Sequence, residues 1–188
     1  MSNRESFLRW QRLVEGLDSR AIKVLAVIEH LHKEGVIPDY VLVGGLAATF
    51  YLESVYTRDV DFVFPISVKL DRLSDLYQRL EELGYGDIDS EGYLLIEGWP
   101  VHFLPPFNSL LKKMLETARV ERIDGLACKV ALPEYLVADS VRMSRPEKDY
   151  GRIIRLRELP SFREDFFQAI LREFNLEEQW RKILPKLS

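Results

Sequence analysis

Val41-Leu-Val-Gly-Gly-Leu-Ala-Ala-Thr-Phe-Tyr51, followed by Tyr56-Thr-Arg-Asp-Val-Asp-Phe62, is the stretch on which the fold turns. Its first half reads as a strand, a Gly-Gly turn and a short helix. Its second half reads as a strand that carries two carboxylates. Asp59 and Asp61 are two residues apart, and on a strand residues i and i+2 face the same side. The two acids are therefore held side by side, at the end of a connection that begins with a glycine pair. Hard divalent cations take carboxylate oxygens and commonly share them with substrate phosphates. A Gly-rich turn that opens into a helix presents backbone N–H groups to anions. Metal on one side and phosphate on the other point to nucleotide chemistry.

Composition sets the frame around this stretch. The chain has 188 residues, 47% apolar and 30% charged, ordinary for a soluble globular protein. That length suits one sizeable domain, or a domain with an appended helical subdomain. No apolar run approaches a membrane span, and the N-terminal residues lack the uninterrupted apolar core of a signal peptide. One cysteine, Cys128, excludes an intramolecular disulfide framework, and a reducing cytoplasm is the expected location. Cys128 itself is expected to be a small buried hydrophobe. A net charge of −4 argues against a general nucleic-acid binder, although a local basic patch would still serve RNA.

The ordered combination of Gly44-Gly45 with Asp59-x-Asp61 resembles the signature of the DNA polymerase β-like nucleotidyltransferase superfamily. Within it, the wording GGLAA…YTRDVDF is most similar to the minimal nucleotidyltransferases and the AbiEii-type toxins. The resemblance spans about residues 38 to 150 and is strongest at Gly44, Gly45, Thr57, Asp59 and Asp61. It implies a small mixed sheet in an α/β fold. It also implies Mg²⁺ or Mn²⁺ on Asp59 and Asp61 and donor phosphates on Gly44 and Gly45, with Thr57 either supporting the loop or contacting a phosphate. Arg58 is read either as a ligand contact or as a surface ion pair. Relatives carry a basic residue four before the first Asp, where this chain has Val55.

The rest of the chain reads as helices, a mixed middle and helices again. Expected are N-terminal helices within residues 4–34, packed on the core as a part spanning 1–36, with Asp18 and Ser19 as caps between them. An α/β core over 37–132 contains strands Tyr40–Val43 and Val60–Phe64, helix Leu46–Glu53, and an amphipathic helix Leu70–Leu83 stopped by Gly84. Leu73, Leu76, Tyr77, Leu80 and Leu83 share its apolar face. Three strand-like runs follow at Tyr85–Ile88, Tyr93–Ile96 and Pro100–Leu104, joined by hairpin-like gaps. A short helix Ser109–Leu115 precedes a hairpin, Ala118–Ile123 and Leu126–Val130, around Asp124-Gly125. A helical part over 133–188 opens at Pro133, continues through Tyr150–Leu159 and ends with Arg163–Phe174 and Leu176–Leu184.

Two positions depart from the resemblance. A third carboxylate is expected on a later strand, and Gly98-Trp-Pro-Val-His-Phe-Leu-Pro105 puts His102 there. Three readings follow. His102 stands in as general base, its pKa near working pH; or a neighbouring carboxylate, Glu97 or Asp124, supplies the role; or the chain binds a nucleotide without transferring it. Relatives also place a phosphate-contacting lysine in the helix after Pro133, and that position is Ser140. Arg142, Arg145 and Lys148 lie close by, and Arg145, Lys148 and Asp149 keep the family's wording. Arg142, Arg145, Lys148, Arg152 and Arg155 recur at three- and four-residue steps, as a basic stripe or a solvated helix face.

The resemblance implies metal-dependent transfer of a nucleotide from an NTP to an RNA or protein hydroxyl. The implied setting is a toxin–antitoxin or phage-defence one, with a cognate partner protein. Asp59, Asp61 and His102 would form the catalytic group, and Arg145 and Lys148 would join Arg58 on the nucleotide. The alternative is a non-catalytic module of the same fold that binds a nucleotide or a protein. The direction of His102 separates them: reach to both aspartates favours the enzyme, and burial on the other sheet face favours the module.

Overall fold

A computed structural model describes residues 19–53, 55, 57–65, 71–123, 125–143 and 146–187. The first expected helix and Asp18 lie outside the described residues. Six strands form one mixed sheet: β1 (Val41–Val43), β2 (Val60–Val63), β3 (Leu94–Ile96), β4 (Trp99–Leu104), β5 (Arg119–Ile123) and β6 (Leu126–Val130), in the order β3-β4-β2-β1-β6-β5. The mixed α/β expectation is met.

β1 is the innermost strand by composition as well as by position. Val41, Leu42 and Val43 are all buried, as an apolar run covered on both faces should be. It pairs antiparallel with β2 and parallel with β6. β2 alternates: Val60 and Phe62 enter the core, and Asp61 faces the other side. Behind Asp61, Phe62 packs edge-on against Tyr40 and stacks on Phe103, so an aromatic layer backs the strand that carries the acids. β2 runs parallel to β4 with Asp61 opposite His102. β3 and β4 are joined by Glu97-Gly98, both at positive φ (54° and 76°), the requirement of a two-residue type I′ hairpin.

Eight helices lie among the described residues. α1 (Ser19–Lys33) lays Ala21, Val24, Leu25, Ile28 and Leu31 into the core beside β6. α2 (Gly44–Thr49) connects β1 to the β2 segment. α3 (Asp71–Glu82) buries Leu76 and Leu80, and Gly84 at φ 89° closes it through Tyr85 N–H to Leu80 O (2.8 Å). α4 (Ser109–Glu116) is capped by the Asn108 side chain on Leu111 N–H (2.8 Å). α5 (Pro133–Arg142) is almost entirely buried, and α6 (Pro146–Arg157), α7 (Glu164–Glu173) and α8 (Glu177–Ile183) gather round it. The buried Glu134 carboxylate accepts from both Arg163 N–H (3.1 Å) and Arg163 Nε (2.9 Å), which ties α5 to the start of α7.

Four expectations need correction. α2 begins at Gly44 and ends at Thr49, rather than spanning Leu46–Glu53. The Thr49 hydroxyl turns back on Leu46 O (2.6 Å), and Tyr51 is drawn off by its bond to Ala131 O (2.9 Å). Tyr85–Ile88 is no strand: Ile88 makes a single bridge to Leu94 and stays exposed, so no burial rewards extension. Tyr77 lies outside the apolar face of α3, 44% exposed. The helix expected from Tyr150 starts at Pro146, where proline's fixed φ suits the first helical position. Cys128 is buried, and burial pushes its thiol up to about 12.

Aromatic contacts join the C-terminal helices. Phe167, fully buried, meets the Trp180 ring edge-on at 5.1 Å and Phe162 at 5.6 Å. Phe167→Ala is expected to cost about 3–5 kcal/mol in urea unfolding. A loss below about 1 kcal/mol would mean that these helices do not pack as described.

Candidate metal and phosphate site

Asp61 stands on β2 and Asp59 just ahead of it, both half-buried. Because β4 runs parallel to β2 with His102 opposite Asp61, the imidazole lies beside the acids on the same sheet face. One donor atom from each of Asp59, Asp61 and His102 falls within 4.8 Å of the other two. His102 Nδ1 is 2.8 Å from Asp61 Oδ1. That hydrogen bond raises the His102 pKa above its ordinary value; burial opposes it, and the charges of Asp61, Asp59 and Asp89 add to it.

The other face of the imidazole is closed. His102 Nε2 is buried and has no hydrogen-bond partner among the described residues. The Tyr93 ring lies over the imidazole at a centroid separation of 3.7 Å, tilted by 31°. Tyr93 is fixed in turn by its N–H donating to Asp89 Oδ1 (2.9 Å). Tyr93 was not legible as a site residue, because its sequence neighbours mark only a strand start.

The glycine pair is shaped by the acids. Gly44 sits at φ 69°, and a Cβ there would lie 2.4 Å from Asp61 Oδ2. A Cβ on Gly45 would lie 2.6 Å from Thr57 Oγ1 and 2.8 Å from Thr57 Cβ. Any other residue at either position would displace a member of the cluster. Thr57 also holds the first acid: its hydroxyl donates to Asp59 Oδ1 (3.0 Å). The expected dipole of the following helix is weak support, since α2 has only six residues.

The basic residues divide. Arg58 is exposed beside Asp59. Arg145 and the Lys148 side chain lie outside the described residues. Arg142 donates through Nε to Asp139 Oδ1 (2.8 Å) and stands over the Phe107 ring. Arg155 reaches the Glu53 carbonyl. Arg152 instead turns inward to Ser140 and to the space above Gly45. Arg142 ends α5 while Arg152 and Arg155 stand on α6, so among the described residues these three form no continuous stripe. Asp139, also unsignalled by the sequence pattern, lies close enough for the charge of Asp61 to push its pKa up, adding to a larger effect of burial that Arg142 opposes. Glu97 is engaged by Tyr85 Oη (2.7 Å) and Lys23 (3.5 Å), away from the cluster, and Asp124 lies outside the described residues.

No protein-family model matches the chain, and no curated protein sequence does. Solved structures match along most of its length. An antigenic nucleotidyltransferase-like protein from Paracoccidioides brasiliensis superposes with a TM-score of 0.53 at 17% identity, covering 91% of this chain and 94% of the other. ANT(2″)-Ia, solved in complex with adenylyl-2″-tobramycin, superposes with a TM-score of 0.51 at 14% identity, covering 82% and 98%. The chain has the nucleotidyltransferase fold. Identities this low carry the fold alone, so the chemistry must be argued from this chain's own residues.

The donor set fits a divalent cation. Two carboxylates and an imidazole converge on one point, and their geometry is held by neighbours rather than by chance rotamers. Mg²⁺ prefers the two carboxylates; Mn²⁺ accepts imidazole as well. The glycine contacts make a test. Gly44→Ala should displace Asp61 and weaken Mn²⁺ binding, followed by electron paramagnetic resonance, by at least about tenfold, or about 1.4 kcal/mol. Gly125→Ala, at φ 80° with open space around it, should cost about 1 kcal/mol of stability and leave Mn²⁺ binding unchanged. Equal effects of the two changes on Mn²⁺ would disprove the contact.

Proposed function

We propose that the protein moves a nucleotide from an NTP to a hydroxyl acceptor with a divalent cation on Asp59 and Asp61. The observation that carries this is the convergence of Asp59, Asp61 and His102 beside two glycines that leave no room for a Cβ. When bound, the cation offsets triphosphate charge and polarises the phosphorus under attack. The chain's residues do the positioning. Gly44 and Gly45 let Asp61 and Thr57 close against the backbone, and their N–H groups would be the phosphate contacts. Thr57 keeps Asp59 oriented, and His102 keeps Asp61 oriented through Nδ1. His102 reaches the aspartates, which favours the enzyme over the module. In the base role it would take the acceptor's proton at Nε2, the atom that Tyr93 shelters. As a third donor to the cation it would instead give up its Nδ1 hydrogen bond to Asp61. Arg58, Arg145 and Lys148 belong to this reading as the basic rim around the nucleotide.

RNA and protein hydroxyls are the acceptors implied by resemblance. ANT(2″)-Ia, solved with an adenylylated tobramycin, adds small-molecule hydroxyls to those worth testing. The toxin–antitoxin or phage-defence setting and a cognate partner protein rest on the AbiEii-like wording of the sequence, and the cytoplasmic location rests on its single cysteine. No described helix is long and apolar enough to cross a membrane. A non-catalytic module keeps one argument, the sheltered Nε2 of His102.

Calorimetry with ATP, GTP, CTP and UTP, with and without Mg²⁺, tests the proposal. Binding that requires Mg²⁺ and falls at least about 100-fold, or about 2.7 kcal/mol, in Asp59→Asn/Asp61→Asn is expected. Folded wild-type protein that binds no triphosphate would sink it. Binding without pyrophosphate release across the three acceptor classes would favour the module.

A further inference from the structure

We infer that the Arg152 guanidinium, moored on Ser140 and Asp149 beside Gly45, is the phosphate-binding cation of this site. The inference rests on the nucleotide-binding reading above and names a residue within it. Three observations place Arg152 there. Its Nη1 lies 3.6 Å from where a Gly45 Cβ would stand, a point the Thr57 side chain fills, so the guanidinium packs beside Thr57 and Gly45 at the edge of the site. Its Nη2 donates to Ser140 Oγ (3.3 Å) and to Asp149 Oδ1 (2.6 Å), which fix the fork from behind. The side chain is about one-fifth exposed, dry enough for its charge to count and open enough for an anion to reach it.

Ser140 is the telling residue. It is buried on α5, and its hydroxyl donates to Leu136 O (3.0 Å), which leaves its lone pairs for Arg152. The resemblance puts a lysine at this position, and serine brings no charge. Here the charge arrives from α6, one helix further on, and the serine hydroxyl receives it. The other described arginines of the basic series are committed elsewhere: Arg142 to Asp139 and the Phe107 face, Arg155 to the Glu53 carbonyl. A triphosphate entering the cluster adds negative charge next to Asp59, Asp61 and Asp139. A rigid guanidinium, always charged and forked to match two phosphate oxygens, is the group that offsets it.

The test uses the full chain and inorganic tripolyphosphate with Mg²⁺, a probe with no base or sugar. Arg152→Gln keeps a polar side chain for Ser140 and Asp149 but removes the charge. It is expected to weaken tripolyphosphate binding by calorimetry about 10- to 100-fold. Its Mn²⁺ affinity should match wild type, because the cation's own ligands are untouched, and a cooperative thermal transition should show that it is folded. Ser140→Lys combined with Arg152→Ala returns a charge to the same space from α5, and should recover most of the lost affinity. Arg152→Gln binding tripolyphosphate within about twofold of wild type would overturn the inference and leave the nucleotide reading standing. So would a folded double variant as weak as Arg152→Gln. Wild-type protein that binds neither tripolyphosphate nor any NTP would overturn the reading on which the inference rests.

Discussion

The contact of Gly44 with the Asp61 carboxylate is the constraint on which the site depends. Antiparallel pairing of β1 with β2 sets Val43 opposite Asp61, which brings the next residue, Gly44, against the acid. A side chain there would collide at 2.4 Å, so the acid occupies the room that glycine leaves. Parallel pairing of β2 with β4 then places His102 at Asp61's flank. One register error on either side of β2 would turn the acids into the aromatic layer behind the strand.

The cluster is electrostatically loaded. Two carboxylates within 4.8 Å repel by roughly 3–4 kcal/mol at an effective dielectric near 20. Local donors offset part of this: Thr57 on Asp59, and a His102 imidazole whose protonated form Asp61 favours. The donor set that results suits a divalent cation. Arg152, ion-paired with Asp149, stands beside Gly45 and Thr57, so a guanidinium borders the acidic cluster. A metal-bound polyphosphate has the matching distribution of charge.

Much of the sheet was legible in the sequence. Val41-Leu-Val43 and Val60–Phe64 read as strands because their apolar runs are short, β-branched and bounded by turn residues. Both hairpins announced themselves through glycine at positions of positive φ. The glycine pair and the two aspartates were legible as a unit only because their order and spacing resemble a family. What failed was local and has local causes. Tyr85–Ile88 reads as strand-like, but only Tyr85 reaches the core and Ile88 is left exposed. The α2 boundaries are set by Thr49 and Tyr51 hydrogen bonds that no periodicity encodes. Arg152 looked like one step of a stripe, and its inward turn depends on how α6 packs against α5. Tyr93 over His102 is likewise a product of tertiary register, invisible to spacing along the chain.

The central claim is that Asp59, Asp61 and His102 form one cation site open to the glycine cradle. Its most direct test is a crystal structure of the protein grown with Mn²⁺ and a non-hydrolysable NTP analogue, with diffraction recorded at the manganese edge. The account predicts an anomalous peak bonded to Asp59 and Asp61, at about 2.0–2.2 Å, with phosphate oxygens on its open side next to Gly44 and Gly45. Analogue bound elsewhere, or manganese absent from the aspartates in crystals that hold the analogue, would contradict it.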